Sequence, residues 1–458
     1  MSVRIVVIGG VAAGMSAASQ AKRRDKTAEV MVLERGPHIS YSACGMPYNI
    51  GVPARTVDDL VIVDPESARR DRGVDVRTRH EVLSIDLAAQ RLRVRALDIG
   101  SGSGEAELAW DRLVIATGAS ASRPPLPGLD LPGVFVLREL TDGAAIKRHL
   151  AAHKVTAAVI IGAGYIGLEM ADALRGLGLT VVVLEKLQEV LPGWAEPICA
   201  EARLELQRHG ARVETGISVT AIERDGDGLK VRTDRGDFPA GLLVVATGVR
   251  PSVALARAAG LALGTSGAIA TDDHLRTSAP LVYAAGDCAE SPHLVTGKPC
   301  WIPLGTTANK QGKVAGANAA GADERFAGIV GTAGFKLFEQ EVARTGIDLA
   351  EAGRLGLDAV SAVSHHHSRG KSYPGDRPVL TQVTVERGSG RLLGAQMIGP
   401  ESTAKRIDVF ATALTAGMTV AQVEDLDLSY APPFAPVYDP ILIAATVARK
   451  AAERPSTR

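Results

Sequence analysis

The chain has 458 residues, which is too long for a single compact core and predicts roughly two to four domains. Lysine plus arginine and aspartate plus glutamate each total 51, so the formal charge is zero and broad affinity for nucleic acid or membranes is not expected. The 4 cysteines are scattered, without a C-x-x-C pair or zinc spacing, which predicts a reducing, cytoplasmic location and no bound metal. We expect no signal peptide ahead of Val3 and no transmembrane helix, because no uncharged apolar stretch reaches about 18 residues.

The chain opens with a predicted β-strand, a glycine-rich turn and a helix. The strand covers residues 3–8 and the turn reads Gly-Gly-Val-Ala-Ala-Gly over 9–14. A second apolar strand, 30–33, ends in Glu34. In such a unit the glycines let a pyrophosphate approach the backbone, the first N–H groups of the helix bind its charge, and the carboxylate accepts hydrogen bonds from a ribose. This segment is therefore predicted to be a βαβ dinucleotide-binding unit.

The same pattern returns further along the chain. Strand 157–161 leads into Gly-Ala-Gly-Tyr-Ile-Gly over 162–167, a helix follows, and strand 181–184 ends in Glu185. All three glycines of the motif are present here, whereas Val11 replaces the middle one in the first copy. Two complete units predict two dinucleotide sites. Glu185 is expected to repel the 2′-phosphate of NADPH, which favours NADH at the second site.

Later segments close these units and then change in character. The runs 113–118 and 243–248 each predict a strand that ends in a glycine turn, and 281–287 predicts a third. A glycine–serine stretch at 100–104 predicts a hairpin tip. After Gly321, short β-like runs and one further helix predict an α+β domain.

Cys44 lies between the two units, in Ser-Tyr-Ser-Ala-Cys-Gly-Met-Pro-Tyr over 40–48, without a second cysteine nearby. A dinucleotide-linked thiol/disulfide enzyme would normally carry a cysteine pair here, but Asn49 stands at the position five residues on. The second sulfur must therefore come from another molecule.

These residues together resemble the two-dinucleotide flavoprotein disulfide reductases. Within them the chain is similar to coenzyme A disulfide reductase, whose relatives include NADH oxidase, NADH peroxidase and persulfide reductases. The most specific segments are 10–14, 39–48, 283–287 and 430–433, and Val11 is the usual residue at its place in this subgroup. The resemblance implies an α/β fold with two Rossmann-like dinucleotide-binding domains, for FAD and NAD, and a C-terminal α+β dimerisation domain.

The resemblance also implies domain bounds and an assembly. The FAD-binding domain is expected to be discontinuous, at 1–147 and 250–325, with the NAD(P)H-binding domain at 148–249 between its parts. The dimerisation domain is expected at 326–450. The implied assembly is a homodimer, and the implied partner is a small-molecule disulfide substrate.

The implied cofactors are FAD in the first unit and NADH, or NADPH, in the second. By resemblance Glu34 binds the adenosine ribose of FAD, Asp287 lies near its ribityl chain and pyrophosphate, Glu169 lies near the nicotinamide, and a helix at 302–312 runs across the flavin ring. The residues implied to contact the two cofactors are Gly9, Gly10, Ala13, Gly14, Glu34, Arg35, Ala116, Thr117, Gly118, Gly162, Gly164, Tyr165, Ile166, Gly167, Glu169, Glu185, Gly248, Gly286, Asp287, Thr306 and Ala308.

By resemblance Cys44 is the redox-active residue, which receives electrons from NADH through FAD while it is held as a mixed disulfide. Its reactive form is the thiolate, so we expect its pKa to be lowered, with a helix beginning at Gly45 and an oxidised flavin as the sources. Tyr430 and Tyr373 resemble the tyrosines that this family contributes from the partner subunit. A phenol there would hydrogen-bond the departing thiolate or protonate it.

Three residues match positions that contact coenzyme A in the reductase: Gln20, Arg23 and Ser40. A cation and polar groups suit the phosphates of that molecule, which the resemblance makes a substrate or a Cys44 adduct. The run 365–367 consists of three histidines, but consecutive side chains of a strand point to opposite faces, so we interpret it as an exposed polar run rather than a metal site.

Three functions remain open at this point. NADH-dependent reduction of a low-molecular-weight disulfide, coenzyme A disulfide first, is favoured, with persulfide or polysulfide as a close variant. An NADH oxidase or peroxidase would cycle Cys44 through sulfenic acid. Those relatives carry a histidine in the first glycine loop, where this chain has Val-Ala-Ala over 11–13. A flavoprotein that binds partners according to its redox state is the third hypothesis.

Overall fold

The computed structural model describes residues 2–97 and 104–454, so the expected hairpin tip at 100–104 lies, apart from Gly104, outside the described residues. The strands are β1 (Arg4–Ile8), β2 (Glu29–Leu33), β3 (Asp75–Arg77), β4 (His80–Asp86), β5 (Arg91–Ala96), β6 (Glu105–Ala109), β7 (Arg112–Ile115), β8 (Ala119–Ala121), β9 (Val134–Val136), β10 (Ala157–Ile161), β11 (Thr180–Glu185), β12 (Arg212–Thr215), β13 (Val219–Asp225), β14 (Gly228–Thr233), β15 (Gly236–Ala240), β16 (Leu242–Val245), β17 (Val249–Pro251), β18 (Val282–Ala284), β19 (Ser291–Pro292), β20 (Pro299–Cys300), β21 (Ala333–Leu337), β22 (Gln340–Gly346), β23 (Ala359–His367), β24 (Pro378–Glu386) and β25 (Leu392–Gly399).

The α-helices are α1 (Ala12–Arg24), α2 (Met46–Ile50), α3 (Pro65–Arg72), α4 (Leu140–Ala152), α5 (Tyr165–Gly176), α6 (Glu196–Arg208), α7 (Ala254–Ala258), α8 (Gly305–Ala319), α9 (Leu349–Arg354), α10 (Thr403–Thr415), α11 (Val420–Glu424) and α12 (Pro440–Ala452). Two short 3₁₀ helices cover Ala43–Gly45 and Val57–Leu60. None of the helices in the described ranges combines the length and the apolar character required to cross a membrane.

Two parallel sheets of five strands each form the nucleotide-binding part of the fold. The first has the strand order β18-β7-β1-β2-β3 and the second β12-β11-β10-β16-β9. The helix α1 connects β1 to β2, and α5 connects β10 to β11, so each sheet contains the predicted βαβ unit. The central strands are buried because both of their sides are apolar; Ile5, Val6 and Val7 of β1 have no exposed surface. The expected α/β fold with two Rossmann-like units is confirmed.

The C-terminal part is built on an antiparallel sheet of five strands in the order β21-β22-β25-β24-β23. Helices α10 and α12 bury their apolar sides in the same core as this sheet, with Phe410 fully buried and Ala444 nearly so. Two three-stranded antiparallel sheets, β4-β5-β6 and β13-β14-β15, are attached to the nucleotide-binding part. The α+β character predicted after Gly321 is confirmed.

Strand pairing bears on the proposed domain bounds. Because β18 pairs with β7, residues near 283 complete the first sheet, as a discontinuous FAD-binding domain requires. However, β9 pairs with β16 of the second sheet, although it precedes the expected boundary at 147/148. This pairing favours a boundary between the FAD-binding and NAD(P)H-binding domains that lies before Val134. A three-residue apolar strand gives too little pattern to be assigned from sequence.

The helices α1 and α8 pack unusually closely because small residues face each other. A Cβ atom built on Gly312 would lie 2.3 Å from the carbonyl oxygen of Ala13, and one built on Gly316 would lie 2.1 Å from that of Ala17. Ser16 and Asn309 add a side-chain hydrogen bond of 2.6 Å between the same helices. This contact holds α8 against the first βαβ unit, where the sequence predicted a helix beside the flavin.

Replacing Gly316 by alanine is expected to lower the apparent melting temperature. The added methyl group has no room against the backbone of α1, and overpacking of this kind typically costs about 1–3 kcal/mol. Gly353→Ala is the matched control, because no atom lies within 4 Å of a Cβ built there and alanine favours the helix α9. Thermal unfolding of the two variants checks the prediction, which is wrong if Gly316→Ala melts no lower than Gly353→Ala.

Candidate active site

The first glycine turn is closed by a carboxylate at the end of β2. Glu34 accepts hydrogen bonds from the backbone N–H of Gly10 at 2.7 Å and of Gly36 at 2.6 Å. Burial raises the pKa of Glu34, and these two hydrogen bonds act in the opposite direction. Gly9 has a φ of +99°, and a Cβ there would lie 2.2 Å from the carbonyl oxygen of Ala116. The turn therefore holds the ends of β1, β2 and β7 together.

The second glycine turn repeats this geometry. Glu185, which is buried, accepts hydrogen bonds from the N–H of Ala163 at 2.8 Å and of Leu187 at 2.9 Å. Gly162 has a φ of +102°, and a Cβ there would lie 2.4 Å from the carbonyl oxygen of Ala246. The carboxylates that sequence analysis singled out thus lie where each turn meets its second strand.

Both turns lead into helices whose first N–H groups receive no side-chain cap. Val11 is the N-cap of α1 and Gly164 that of α5, and neither makes a side-chain capping hydrogen bond. No atom lies within 4 Å of a Cβ built on Gly164, so the space in front of α5 is open. Free N–H groups at the start of a helix, beside a carboxylate that can accept from a ribose, fit a dinucleotide. The residues present at the two turns therefore fit FAD and NAD(P)H.

Three small residues predicted to contact the flavin are brought together at the end of β18. Gly286 lies against Ala13 of α1 and Ala308 of α8, and a Cβ built on Gly286 would be 2.7 Å from the Cβ of Ala13. The N–H of Gly286 donates to the side-chain oxygen of the buried Gln311 at 2.8 Å. Thr306, in the first turn of α8, is exposed.

Asp287 forms an ion pair with a residue that the sequence did not single out. Arg138 donates from Nη2 to Oδ2 of Asp287 at 2.8 Å and from Nε to the carbonyl oxygen of Ala119 at 2.8 Å. The backbone oxygen of Asp287 accepts from the indole N–H of Trp301, also at 2.8 Å. Arg138 had no motif around it, so no sequence signal could have identified it.

The predicted cofactor residues 116–118 follow the last residue of β7. They lie beside the first glycine turn, because the N–H of Ala116 donates to the backbone oxygen of Ile8. Arg35 is exposed and pairs with Glu139 at 3.0 Å. Gly248 follows β16 with a φ of +97° and open space around its Cβ position.

Cys44 is exposed and lies in the 3₁₀ helix Ala43–Gly45, directly before α2. The helix α2 follows directly, with Gly45 as its N-cap, which agrees with the helix start expected at Gly45. Asn49, at the place of the absent second cysteine, is buried and donates to the backbone oxygen of Thr56 at 2.7 Å.

The protein atoms around Cys44 raise its pKa. Partial desolvation by neighbouring atoms is the main cause, and the carboxylates of Glu169 and Asp287 add to it. Arg138 acts in the opposite direction as the nearby cation. The short 3₁₀ turn does not outweigh these effects, so the side chains of the isolated chain alone do not activate Cys44. The lowered pKa expected from a helix start together with an oxidised flavin stays a prediction for the flavin-bound protein.

Glu169 is linked to the Cys44 segment by a hydrogen bond between domains. The Tyr48 hydroxyl donates to Oε1 of Glu169 on α5 at 2.8 Å and accepts from the N–H of Lys336 on β21 at 3.3 Å. Burial raises the pKa of Glu169 to about 7, and the Tyr48 bond holds it lower than it would otherwise be. Sequence reasoning missed Tyr48, although it stands four residues after Cys44 in the most specific segment.

Tyr165 and Ile166 open α5 beside the second turn. The Tyr165 ring lies edge-on to Trp194 at 5.8 Å between centroids and 5.6 Å from Phe335 of the C-terminal sheet. Ile166 is half-buried. This aromatic group joins the start of α5 to the C-terminal sheet.

The residues predicted to bind coenzyme A occupy two places. Arg23 donates from Nε and Nη2 to the Gln20 oxygen at 3.1 and 2.9 Å on the surface of α1. Ser40 has a φ of +44° and donates its N–H to the backbone oxygen of Gly10 at 2.9 Å. Ser40 is thereby tied to the first glycine turn, whereas Gln20 and Arg23 lie further along the helix.

Tyr373 and Tyr430 are far apart in sequence but their loops are in contact. The N–H of Gly370 donates to the backbone oxygen of Pro432 at 2.8 Å. Tyr373 is 40% exposed and Tyr430 52%, so both rings are free to contact another molecule. The structure brings together the two tyrosines predicted to assist Cys44 from a partner subunit.

The three histidines 365–367 end β23. His365 is exposed, while His366 and His367 are half-buried, and His367 pairs with Asp376. Within the described ranges, no cluster of three or more histidine, cysteine, aspartate or glutamate residues has the arrangement of a metal site.

Comparison with known proteins agrees with this geometry. Residues 3–312 match the model of the pyridine nucleotide-disulphide oxidoreductases, and residues 332–440 match the dimerisation domain of the same family. The chain is 38% identical over 447 residues to the NAD(P)H coenzyme A polysulfide/persulfide reductase of Pyrococcus horikoshii, covering 98% of each chain. It is 33% identical over 448 residues to an NADH oxidase of Methanocaldococcus jannaschii, covering 98% of this chain and 99% of that one.

A solved structure gives the same result. The NAD-dependent persulfide reductase from A. fulgidus superimposes with a TM-score of 0.93 at 38% identity, covering 98% of this chain and 83% of that one. The chain belongs to the pyridine nucleotide-disulphide oxidoreductase family. FAD and NAD(P)H are the cofactors typical of this family, and the expected resemblance is confirmed.

Replacing Glu169 by glutamine is expected to stabilise the protein in a pH-dependent way. The pKa of Glu169 in the folded chain is above its ordinary value. At a pH between these two pKa values, the folded state keeps a proton on Glu169 that the unfolded state has already released. The free energy of unfolding therefore falls as the pH rises from the ordinary pKa of glutamate towards about 7. The glutamine variant does not show this fall, because its side chain does not titrate. Its melting temperature relative to the unsubstituted protein should rise between pH 5 and pH 8.

Thermal unfolding of both proteins at the two pH values tests this sign. Glu401→Gln, at an exposed carboxylate, is the control and should show no such trend. If the melting temperature of Glu169→Gln relative to that of the unsubstituted protein falls as the pH rises, the raised pKa of Glu169 is contradicted.

Proposed function

We propose that the protein uses NAD(P)H to reduce a sulfur–sulfur bond of a small molecule through the single thiol of Cys44. The observation that carries this proposal is the position of Cys44. It is the exposed cysteine of the four, and the charges of Glu169 in the second unit and of Asp287 in the first both act on its thiol. A thiol at the junction of two dinucleotide sites is placed to accept electrons from one side and a substrate from the other.

The protein's own residues define the catalytic cycle. The Cys44 thiolate attacks one sulfur of the substrate, so that a new S–S bond forms with Cys44 while the S–S bond of the substrate breaks, and the first product leaves as a thiolate that then takes up a proton. NAD(P)H and FAD, when bound, supply the two electrons that break this mixed disulfide. The second thiol then leaves with a proton, and Cys44 returns to the thiolate. Two electrons and two protons convert one S–S bond into two thiols, so the cycle balances.

The phenols of Tyr430 and Tyr373, contributed by the partner subunit of a homodimer, are proposed to hydrogen-bond the departing thiolate. The dimerisation-domain match at 332–440 supports this assembly. We also propose a cytoplasmic location, because unpaired cysteines and a working thiol require reducing surroundings.

The proposed substrate is a coenzyme A disulfide or a persulfide or polysulfide used together with coenzyme A. Gln20, Arg23 and Ser40 offer the cation and polar groups that its phosphates and pantetheine arm require. The 38% identity to a coenzyme A polysulfide/persulfide reductase supports the persulfide variant more strongly than sequence reasoning did. For the nicotinamide cofactor we propose NADH, because Glu185 is fixed by two N–H groups and opposes a 2′-phosphate.

An NADH oxidase is the second candidate. The 33% identity to the enzyme named NADH oxidase in Methanocaldococcus jannaschii favours it, as does the exposure of Cys44 to oxidants. The first glycine loop has no histidine at 11–13, which opposes peroxide chemistry in Cys44.

Replacing Cys44 by serine is expected to abolish turnover of coenzyme A disulfide and polysulfide while NADH still reduces the bound FAD. The hydroxyl cannot form a disulfide, but neither glycine turn is altered. Anaerobic absorbance changes measure FAD reduction, and thiol release measures turnover. Cys300→Ser is the control, because Cys300 is half-buried, packs against the core of the first unit and lies outside the Cys44 segment. Undiminished turnover in Cys44→Ser, or oxygen consumption faster than any disulfide turnover, would contradict the proposal.

Purified protein that has not met a reductant is expected to carry coenzyme A on Cys44. A mixed disulfide is the stable resting form of a reactive thiol whose substrate contains coenzyme A. Intact-protein mass spectrometry before and after reduction should show the loss of one coenzyme A. The Cys44→Ser variant should lack this mass, and an adduct retained by that variant would exclude Cys44 as its site.

A further inference from the structure

Two loops carry the proposed partner tyrosines. The first tyrosine loop, 368–377, connects β23 to β24 and contains Tyr373; the second tyrosine loop, 429–439, precedes α12 and contains Tyr430. Large apolar and aromatic side chains stand out from the second loop, with Phe434 74% and Tyr438 66% exposed. Such side chains contribute little to holding their own loop, so its position depends on polar contacts beneath it.

One buried side chain makes those contacts to both loops. Arg406 on α10 donates from Nη2 to the backbone oxygen of Ser368 at 2.8 Å and to that of Phe434 at 2.9 Å. Its Nε donates to Asp439 at 2.9 Å, and only 8% of the side chain is exposed. Asp439 in turn accepts from the N–H of Ile441, in the first turn of α12. The guanidinium of Arg406 thus joins the first residue of the first tyrosine loop to the middle and to the last residue of the second tyrosine loop.

The first tyrosine loop is closed on itself as well. Asp376 accepts from the N–H of Ser368 at 3.0 Å and pairs with His367. The N–H of Tyr373 donates to the backbone oxygen of Gly370 at 2.7 Å. These bonds shape the loop, but the direct bond of Gly370 to Pro432 and the bridge through Arg406 are what set it against the second loop.

The contacts of Arg406 favour a role in positioning the two tyrosine loops over a role in general stabilisation of the fold. A buried cation is costly unless it is paired and its donors are satisfied, and Nη1 of Arg406 is buried without a hydrogen-bond partner among the described residues. Apolar residues of the same volume often stabilise a core as well. The fork geometry of arginine, by contrast, addresses two carbonyl oxygens and a carboxylate at once, which lysine cannot do. We infer that Arg406 is a positioning residue that sets Tyr373 and Tyr430 in register for Cys44 of a second copy. The inference rests on the proposed function of these tyrosines.

Arg406→Lys is the test variant. It keeps a charge for Asp439 but loses the bridge between the two carbonyl oxygens. Hydrogen–deuterium exchange should become faster in both tyrosine loops together. Turnover of coenzyme A disulfide, or of polysulfide, should fall by about tenfold to a hundredfold in kcat, as misplaced groups of this kind cause. FAD reduction by NADH and dimer mass should stay unchanged.

Arg449→Lys is the matched control in the same domain. Arg449 pairs with Glu424 at 2.6 Å and with Glu453 at 2.8 Å, away from both loops. It should leave loop exchange and kcat as they are. Asp439→Asn, which removes the charge partner and keeps a capping side chain, provides a second variant if Arg406→Lys does not fold, and it should speed exchange in the same two loops.

Combination with the double variant Tyr373→Phe/Tyr430→Phe separates positioning from general stability. If Arg406 acts through the two tyrosines, Arg406→Lys should add little to the loss in kcat that this double variant already causes; independent effects would multiply. Multiplying effects, or loops that exchange as slowly as in the unsubstituted protein, overturn the inference. Absence of Cys44-dependent turnover in the unsubstituted protein would instead overturn the proposed function, while the exchange data would still decide whether Arg406 holds the loops.

Discussion

The hydrogen bonds between a strand-end carboxylate and backbone N–H groups are the constraint on which both nucleotide sites depend. Glu34 and Glu185 each accept two N–H groups, one from the glycine turn and one from the chain just beyond the carboxylate. Each carboxylate is therefore oriented before any ribose arrives, and the helix behind the turn keeps its first N–H groups free. The positions of α8, of Asp287 and of the Cys44 segment all follow from how they pack around the first of these turns.

Cys44 lies where three parts of the protein meet, and its chemistry depends on that junction. The Tyr48 hydroxyl contacts Glu169 of the second nucleotide-binding unit and the backbone of the C-terminal sheet. The carboxylates nearby raise the pKa of Cys44, and Arg138 alone among these named charges lowers it. Thiolate chemistry at neutral pH therefore requires further stabilisation from what binds beside the cysteine, which ties the activation of Cys44 to the assembled enzyme.

Sequence reasoning predicted the α/β fold, both βαβ units and the carboxylate of each turn, because glycine turns and buried parallel strands have strong local patterns. It failed where an interaction depends on distant segments. Arg138 has no motif and becomes significant only when the fold brings it to Asp287. The strand β9 has only three residues, so no local pattern indicated it. The desolvation of Cys44, which acts against its thiolate, depends on atoms from several segments and cannot be read from a helix start.

The raised pKa of Glu169 has a further consequence for the charge around Cys44. A carboxyl group whose pKa is about 7 carries its proton in roughly half of the molecules in a neutral solution. Two populations that differ by one negative charge next to the reactive sulfur then coexist and interconvert. A proton on Glu169 removes one of the negative charges that raise the pKa of Cys44, so protonation of this carboxyl group favours the Cys44 thiolate.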